Sequence, residues 1–467
     1  MEKFLCIILA FITGFVSYPL SFLPDNADNE YSVREGNFLT LNGEAVSVSA
    51  DCTYEKDGTI ELSEKVTIDL AYTKADWFNY YGISYVSDSY VKGTITYMAG
   101  VKKKTEEFFL EPSEDGVFFS FIDNCLKGTK ANALCSLSLE PLDSKKATIK
   151  IRGISTFNRE IPEEEIFIEN ENHKLGVNLL WGGAVSYLED MNSDVEAVRT
   201  SERVYVDSKA SERYGVDAFS KNVNLINCND AGRLIQQSYY GTTAYDCGEY
   251  MGNVWPYNPV QGGNQFNDSS KIVDIRCDDN SIYVKSRPLD WAKEKEHITP
   301  SYMEAKYSLV NGAVHIECRF VDFSGYEPRL ADQEIPAFYC IEPLNNFVYY
   351  AGDKPWTDDA LTNEPDLIFW PDADYPIFST QENWAAFTGE FPDSFGIGVY
   401  VTGQQKFLAG VYARGEEVGE NPAKSGPTSY FAVVEQRIMN SFEPFEYDYY
   451  VATGTTEEIR NIFETVK

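Results

Sequence analysis

Alternation of apolar and polar residues with a period of two restricts the fold of this chain more than any other feature. The clearest case runs through Tyr307 and Leu309 to Asn311-Gly312, and it returns with Val314 and further apolar residues at every second position. Side chains two apart share one face of a β-strand, and Asn-Gly favours the tight turn of a two-residue hairpin. The pattern therefore predicts a β-hairpin with one buried face, and weaker versions of it recur along most of the chain.

Helical periodicity is convincing only at the C-terminus. Thr455 and Glu458 are spaced as a capping box, and the apolar residues after them share one helix face: Ile459, Ile462, Phe463 and Val466. Aromatic residues make up 14% of the chain, and they suit pleated sheets better than helical bundles. We therefore expect an all-β protein with one short C-terminal helix.

The length of 467 residues is too great for one ordinary domain and suits two. Short strand patterns separated by turn residues occur at residues 94–98, 117–122, 134–139 and 148–151. Such spacing is typical of a β-sandwich, here a jelly-roll-like one. An acidic stretch at residues 160–165 begins the connection to the second part. We predict an N-terminal β-sandwich over residues 24–171 and a second domain over residues 172–467.

The first residues are typical of an export signal. Met1-Glu2-Lys3 precedes an apolar run from Phe4 to Ile12, which predicts a signal peptide over residues 1–17 with cleavage between 14 and 21. A signal anchor is the alternative, because apolar residues continue to Leu23. No later stretch is long and apolar enough for a membrane span. The expected location is secreted, extracellular or at the cell surface, with a signal-anchored or lumenal protein as the alternative.

Cysteine usage is compatible with export. Without Cys6 the chain keeps eight cysteines, an even number that permits up to four disulfides whose pairing stays open. The pairs closest in sequence are Cys125 with Cys135 and Cys228 with Cys247. Buried free thiols are the alternative in a chain of this length.

Charge excludes several partners. The formal net charge of −34 would repel a nucleic-acid backbone, so no nucleic-acid partner is expected. Three histidines provide too few ligands for a multi-histidine metal centre. The many carboxylates would permit a structural calcium ion, but no Asp-x-Asp-x-Asp-Gly loop supports one. We expect no cofactor, and the oligomeric state stays open.

Several stretches carry a resemblance to a known fold. They are residues 180–188, 232–241, 255–263, 333–337, 352–357 and 381–386. From about residue 176 onward, the chain resembles a group of secreted proteins whose main domain is a galactose-mutarotase-like supersandwich. The resemblance implies two large antiparallel sheets with a concave cleft for a carbohydrate. It leaves the reaction open, because the wider superfamily includes sugar epimerases, polysaccharide lyases and glycoside hydrolases.

Polar and aromatic side chains suited to sugars concentrate in these stretches. Amides and guanidinium groups bond sugar hydroxyls, and aromatic faces stack on pyranose C–H surfaces. In a strand over residues 233–240, alternate residues face opposite sides, so only one of the two sets lines a cleft. Core packing is the alternative for these tyrosines and tryptophans. The predicted substrate-binding residues are Arg233, Gln237, Tyr239, Tyr240, Trp255, Asn258, Gln261, His297, Trp356 and Trp384.

Glycoside hydrolysis requires two carboxyl groups, one protonated and one ionised. Glu334 precedes an aromatic strand, and Glu382 lies beside Trp384 in a segment of low charge. Aromatic surroundings desolvate a carboxyl and keep it protonated. We therefore predict a catalytic pair in which Glu382 is the acid and Glu334 the base or nucleophile.

A glycoside hydrolase is the favoured function, and two alternatives remain. A polysaccharide lyase would use Arg233, Tyr239 and His297, although a chain of charge −34 disfavours anionic polymers. A non-catalytic glycan-binding or surface protein would keep the fold without the chemistry.

Overall fold

The computed structural model describes residues 29–34, 37–41, 44–45, 49–50, 59–144, 146–191, 223–243, 247–294, 297–369, 376–389, 394–414, 416 and 421–467. The chain divides into two compact units, the first ending at Ile161 and the second beginning at Pro162. The predicted signal peptide over residues 1–17, its cleavage region and Cys52 lie outside the described residues.

The first unit is built from β-strands and one turn of 3-10 helix at Cys125–Lys127. Its described strands are β1 (Asn29–Arg34), β2 (Asn37–Leu41), β3 (Glu44–Ala45), β4 (Ser49–Ala50), β5 (Thr59–Leu62), β6 (Val66–Phe78), β7 (Tyr80–Ser87), β8 (Val91–Ala99), β9 (Lys102–Leu110), β10 (Ser113–Phe121), β11 (Ala131–Pro141) and β12 (Ala147–Phe157).

Two sheets of the first unit pack face to face. One has the order β10-β7-β12-β1-β2-β3 with β5 beside β12, and the other has the order β4-β6-β11-β8-β9. Aromatic rings from both sheets meet between them, as where Phe108 of β9 stacks on Phe118 of β10 at 5.3 Å. This is the predicted N-terminal β-sandwich.

The second unit contains longer strands and the C-terminal helix, with a 3-10 turn at Pro422–Lys424. Its described elements are β13 (Glu165–Glu169), β14 (His173–Asn178), β15 (Ala184–Asp190), β16 (Ile235–Ser238), β17 (Glu249–Tyr250), β18 (Asn253–Val254), β19 (Pro259–Val260), β20 (Lys271–Cys277), β21 (Ser281–Arg287), β22 (Leu289–Asp290), β23 (Ser301–Val310), β24 (Ala313–Asp322), β25 (Leu330–Ile341), β26 (Asn346–Tyr349), β27 (Thr362–Glu364), β28 (Ile377–Ser379), β29 (Trp384–Thr388), β30 (Phe395–Val401), β31 (Lys406–Tyr412), β32 (Thr428–Ile438), β33 (Phe445–Thr455) and α1 (Thr456–Val466).

Two large sheets form the second unit. Sheet one has the order β13-β14-β15-β16-β25-β32-β31-β28, with β19 and β22 attached through β16. Sheet two has the order β20-β21-β23-β24-β33-β30-β29-β26-β27. Tyr239, the residue after β16 of sheet one, contacts Phe320 of sheet two at 4.5 Å between ring centroids, so the inner faces share a core. The opposite face of sheet one carries the cleft described below.

The predicted fold class is confirmed, because the described residues form antiparallel sheets and a single α-helix. The predicted hairpin is β23 and β24, with Asn311 and Gly312 at positive φ in the turn. The predicted capping box at Thr455 and Glu458 begins α1. The predicted boundary at residue 171 lies later than the observed division. Because Glu165–Glu169 pairs with β14, the segment after Ile161 begins the second unit.

The cysteines differ from the disulfide expectation. No disulfide joins the seven cysteines of the described residues, which are Cys125, Cys135, Cys228, Cys247, Cys277, Cys318 and Cys340. Most lie inside the sheets' apolar interior as small hydrophobic residues. The described part of the chain contains no helix with the length and hydropathy of a transmembrane segment.

Candidate functional site

A cleft of about 960 Å³ opens on the outer face of sheet one. Its floor is formed by strands β16, β25, β32 and β31, which present alternate side chains to it because successive residues of a strand face opposite sides. These floor residues are Ser238, Glu334, Ala337, Tyr339, Leu408, Tyr412, Tyr430 and Val434. The hairpin β17–β18 and the segments after it form one wall.

Glu334 is the carboxyl of the cleft floor. It lies on β25 opposite Val434 of β32, immediately before a register shift between Glu334 and Ala337. Such bulges redirect side chains and are common beside functional sites. The neighbouring Gln333 faces the other way, where its amide bonds both the N–H and the C=O of Tyr240 at 2.7 and 2.9 Å. The backbone around Glu334 is thus tied to the end of β16.

Only hydroxyl groups bind the Glu334 carboxyl among its described partners. The Tyr430 phenol donates a hydrogen bond to Oε1 at 2.6 Å, and the hydroxyls of Ser238 and Tyr240 also bond the carboxyl. Burial raises the pKa of Glu334 above its ordinary value, and the three hydroxyls oppose this without cancelling it. A neutral hydrogen-bond donor stabilises a carboxylate less than a cation does, so burial dominates. Glu334 therefore holds a proton more readily than a solvated glutamate.

A second layer of hydrogen bonds fixes these hydroxyls. Asn258 donates from Nδ2 to Ser238 Oγ at 3.2 Å and to the Tyr239 carbonyl at 2.7 Å. Its Oδ1 accepts from the Trp255 indole at 3.0 Å. Asn258 therefore connects the wall of the cleft to a hydroxyl that contacts Glu334.

Four aromatic side chains form a continuous wall that begins at Glu334. Tyr240 contacts Trp255 at 6.2 Å, Trp255 contacts Tyr250 at 5.1 Å, and Tyr250 contacts Trp291 at 5.8 Å between ring centroids. All four are half-buried and line the cleft. We call Tyr240, Trp255, Tyr250 and Trp291 the aromatic wall.

Arg233 and Asp230 occupy one end of the cleft. The guanidinium lies over the rings of Tyr412 at 5.0 Å and Tyr339 at 5.8 Å, and Nε is 3.6 Å from the Asp230 carboxylate. It also donates to the Gly426 carbonyl at 2.8 Å. Since these contacts use much of the guanidinium, Arg233 mainly holds this end of the cleft in shape.

Asp332 is a second carboxyl on the same face of β25. It is exposed and lines the cleft, and its carboxylate has no hydrogen-bond or ion-pair partner among the described residues. Two residues along an extended strand span about 7 Å. Asp332 and Glu334 thus present a solvated and a desolvated carboxyl side by side.

Some predicted binding residues face the core instead of the cleft. Gln237 bonds the Glu304 carbonyl of sheet two at 2.9 Å, and Tyr239 donates to Gln237 Oε1 at 2.9 Å. Gln261 is buried and bonds the Gly182 carbonyl and the Tyr307 hydroxyl, each at 3.2 Å. These side chains connect the two sheets, so the set of β16 that lines the cleft is Gln236 and Ser238, followed by Tyr240.

The predicted catalytic pair is not formed, because Glu382 lies outside the cleft. Its carboxylate is 1% exposed and accepts bonds from Arg460 of α1 at 2.5 and 3.0 Å and from the Trp384 indole at 2.8 Å. The backbone N–H of Trp356 also donates to the Glu382 carboxylate. Trp356 and Trp384 both pack in the hydrophobic cluster between α1 and sheet two. The prediction for Glu382 is wrong because its carboxylate is used to attach α1 to sheet two through Arg460.

His297 is exposed on a loop and does not line the cleft. The predicted residues that the structure does bring together are Arg233, Tyr240, Trp255, Asn258 and Glu334. Four further residues line the cleft but were not predicted from the sequence: Tyr430, Tyr250, Trp291 and Asp332.

A metal site is absent from the described part of the chain, in that no three His, Cys, Asp or Glu side chains gather as ligands.

Comparisons with solved structures give distant similarities. The chain is similar to a galactose mutarotase related enzyme from Lactobacillus acidophilus, at 12% identity over 62% of this chain and 98% of that chain, with a TM-score of 0.35. It is similar to a 4-alpha-glucanotransferase from Thermococcus litoralis, at 12% identity over 62% of this chain and 37% of that chain, with a TM-score of 0.32.

A GH36 alpha-galactosidase from Geobacillus stearothermophilus is similar at 10% identity over 62% of this chain and 40% of that chain, with a TM-score of 0.33. The chain thus spans less than half the length of these last two enzymes. No family model and no curated protein sequence matches the chain.

Proposed function

We propose that this protein is a glycoside hydrolase whose general acid is Glu334. The observation that carries the proposal is a desolvated carboxyl with a raised pKa on the floor of an open, aromatic cleft. A general acid must keep its proton near the working pH and must reach the leaving-group oxygen. The raised pKa and the place of Glu334 on the cleft floor favour this role, which reverses the role that we expected for it from the sequence.

Asp332 is proposed as the base that activates water. Inverting glycosidases separate their two carboxyls by about 6.5–9.5 Å to leave room for that water. The spacing of Asp332 and Glu334 along β25, about 7 Å between Cα atoms, supports this arrangement. A sugar chain that crosses β25 would have its scissile bond between the two carboxyls. Glu334 would then protonate the leaving oxygen, and Asp332 would take a proton from the attacking water.

A lyase fits the cleft less well. Its base must remove a proton from the sugar ring, and the candidates here are tyrosine phenols. Burial raises the pKa of Tyr240, Tyr339 and Tyr430, so these phenols stay protonated. His297, the other candidate, is not in the cleft.

A carbohydrate ligand and an exported protein remain part of the proposal. Export rests on the signal peptide predicted over residues 1–17.

The test is hydrolysis of a glycan panel by the purified chain, with released reducing ends and unsaturated products measured separately. We expect reducing ends without unsaturation, and a loss of about 10²–10⁴-fold in kcat for both Glu334→Gln and Asp332→Asn. Glu443→Gln, on a loop outside the cleft, is the control and should keep full activity. Unsaturated products would indicate a lyase, whereas glycan binding without any product would indicate a binding protein.

A further inference from the structure

We infer that the aromatic wall binds a neutral oligosaccharide, with at least three sugar residues on the wall side of the scissile bond. The inference rests on the proposed function, because it places the reacting end of the chain at Glu334. It adds the substrate class: a glycan chain rather than a small glycoside.

The spacing of the wall supports this length. The wall starts at Tyr240, which bonds Glu334, and continues through Trp255 and Tyr250 to Trp291 in steps of 5.1–6.2 Å. These steps are comparable with the length of one sugar unit, and three rings lie beyond Tyr240. Neighbouring ring planes are inclined at 63–69°, which suits a chain whose sugar rings rotate relative to one another.

The rings are held in place without a ligand. The Trp255 indole is bonded to Asn258, and the backbone N–H of Trp291 donates to the Asn258 carbonyl at 2.9 Å. The Trp291 ring packs so closely on Gly232 that a Cβ there would approach it to 2.3 Å. Binding to a preorganised surface loses little side-chain entropy. The rings of the aromatic wall are therefore fixed by the protein, and their exposed faces remain available to a ligand.

The charge around the wall points to a neutral ligand. None of its four side chains is charged, and the Arg233 guanidinium at the end of the cleft is engaged by Asp230 and the Gly426 carbonyl. The net charge of −34 repels polyanions over a longer range. A neutral glycan avoids this repulsion.

The experiment is a chain-length series. We expect kcat/KM of the full chain to rise about a hundredfold from a neutral disaccharide to the tetrasaccharide of the same linkage, about tenfold for each added ring contact, and then to level off. Trp291→Ala should lower the ratio of long- to short-substrate kcat/KM by about tenfold. Gly232→Ala displaces the ring without removing it and should act in the same direction. Trp77→Ala, at a tryptophan of the first unit that is 52% exposed, should leave the ratio unchanged.

Binding separates this inference from the proposed reaction. Glu334→Gln should bind the hexasaccharide, measured by tryptophan fluorescence, about tenfold more tightly than the same variant with Trp291→Ala. If this difference is found and the native chain hydrolyses no glycan, oligosaccharide binding by the aromatic wall is supported and the proposed hydrolase activity is wrong. A kcat/KM that does not change with substrate length in an active enzyme, or equal binding by the two variants, would contradict oligosaccharide binding by the aromatic wall. Preference for an anionic over a neutral oligosaccharide also overturns it.

Discussion

Glu334 lies on strand β25 of sheet one, whereas Glu382 lies just before strand β29 of sheet two, and both have aromatic neighbours. Glu334 accepts hydrogen bonds from the hydroxyls of Tyr430, Ser238 and Tyr240 and faces an open cleft. Glu382 accepts two bonds from the Arg460 guanidinium and is covered by Trp384 and α1. The two carboxyls therefore share a sequence setting but differ in the charge of their partners and in access.

This difference separates a carboxyl fit for chemistry from one that supports the fold. Hydroxyl partners are neutral, so they leave the desolvation of Glu334 largely uncompensated and its pKa raised. A guanidinium instead compensates the carboxylate charge and fixes its geometry with paired hydrogen bonds. Aromatic surroundings alone thus do not identify a general acid; the neighbouring charge and the route for substrate do.

Replacing Glu334 should produce the largest effect on activity. Glu334→Gln keeps the shape and the hydrogen bond from Tyr430 but removes the transferable proton, so kcat should fall about 10²–10⁴-fold. The denaturation midpoint should change little or rise, because the buried carboxyl is lost. Glu382→Gln is the comparison, and we expect it to alter stability rather than the chemical step. If Glu382→Gln lost more kcat than Glu334→Gln at equal folded fraction, the assignment of the acid would be wrong.

Replacing Glu382 should produce the largest effect on stability. The Arg460 side chain is 14% exposed, so Glu382→Gln would leave a largely buried cation without its partner, at a cost of about 3–5 kcal/mol. Urea denaturation followed by circular dichroism measures this free energy of unfolding. The matched control is Glu464→Gln on the same helix, whose exposed pair with Lys467 should contribute less than about 1 kcal/mol. Equal losses for the two variants would contradict a structural role specific to Glu382.

Local sequence patterns predicted the elements of the fold well. The alternation around Asn311-Gly312 and the capping box at Thr455 are confirmed because each depends on residues close in sequence. Whether Gln236 or Gln237 faces the cleft was not predictable. Both faces of the segment from β16 to Tyr240 carry polar and aromatic residues, and only packing of sheet two against Gln237 decides between them.

Local sequence patterns could not predict which residues from distant parts of the chain contact Glu334 and Glu382. Tyr430 meets Glu334 across 96 residues because β32 pairs with β25, and Arg460 meets Glu382 across 78 residues because α1 folds onto sheet two. No periodicity within one strand or one helix encodes which distant element lies beside it. For that reason the sequence pattern selected Glu334, which lines the cleft, but paired it with Glu382, which does not.

The raised pKa of Glu334 should appear in the pH dependence of stability. The folded state binds this proton more tightly than the unfolded chain, whose carboxyl titrates near the ordinary value of 4.5. Stability from this group is complete below that value and falls as pH rises through the folded-state pKa, by about 1.4 kcal/mol per unit of upward shift. Glu334→Gln should therefore lose less stability than the native chain over this range in urea titrations at several pH values. Parallel pH curves for the two proteins would contradict the shift.

The smallest predicted effect concerns the Tyr430 hydroxyl. Its bond to Glu334 lowers the pKa of that carboxyl, so Tyr430→Phe should raise the pKa further. A general acid loses activity as pH rises through its pKa, hence the alkaline limb of the kcat/KM profile should move to higher pH by about one unit or less. Tyr187→Phe is the matched control, since it removes a 2.6 Å phenol bond to Glu189, which does not line the cleft, and the limb should stay in place. An unchanged limb or a shift to lower pH in Tyr430→Phe would mean that the limb reports a group other than Glu334.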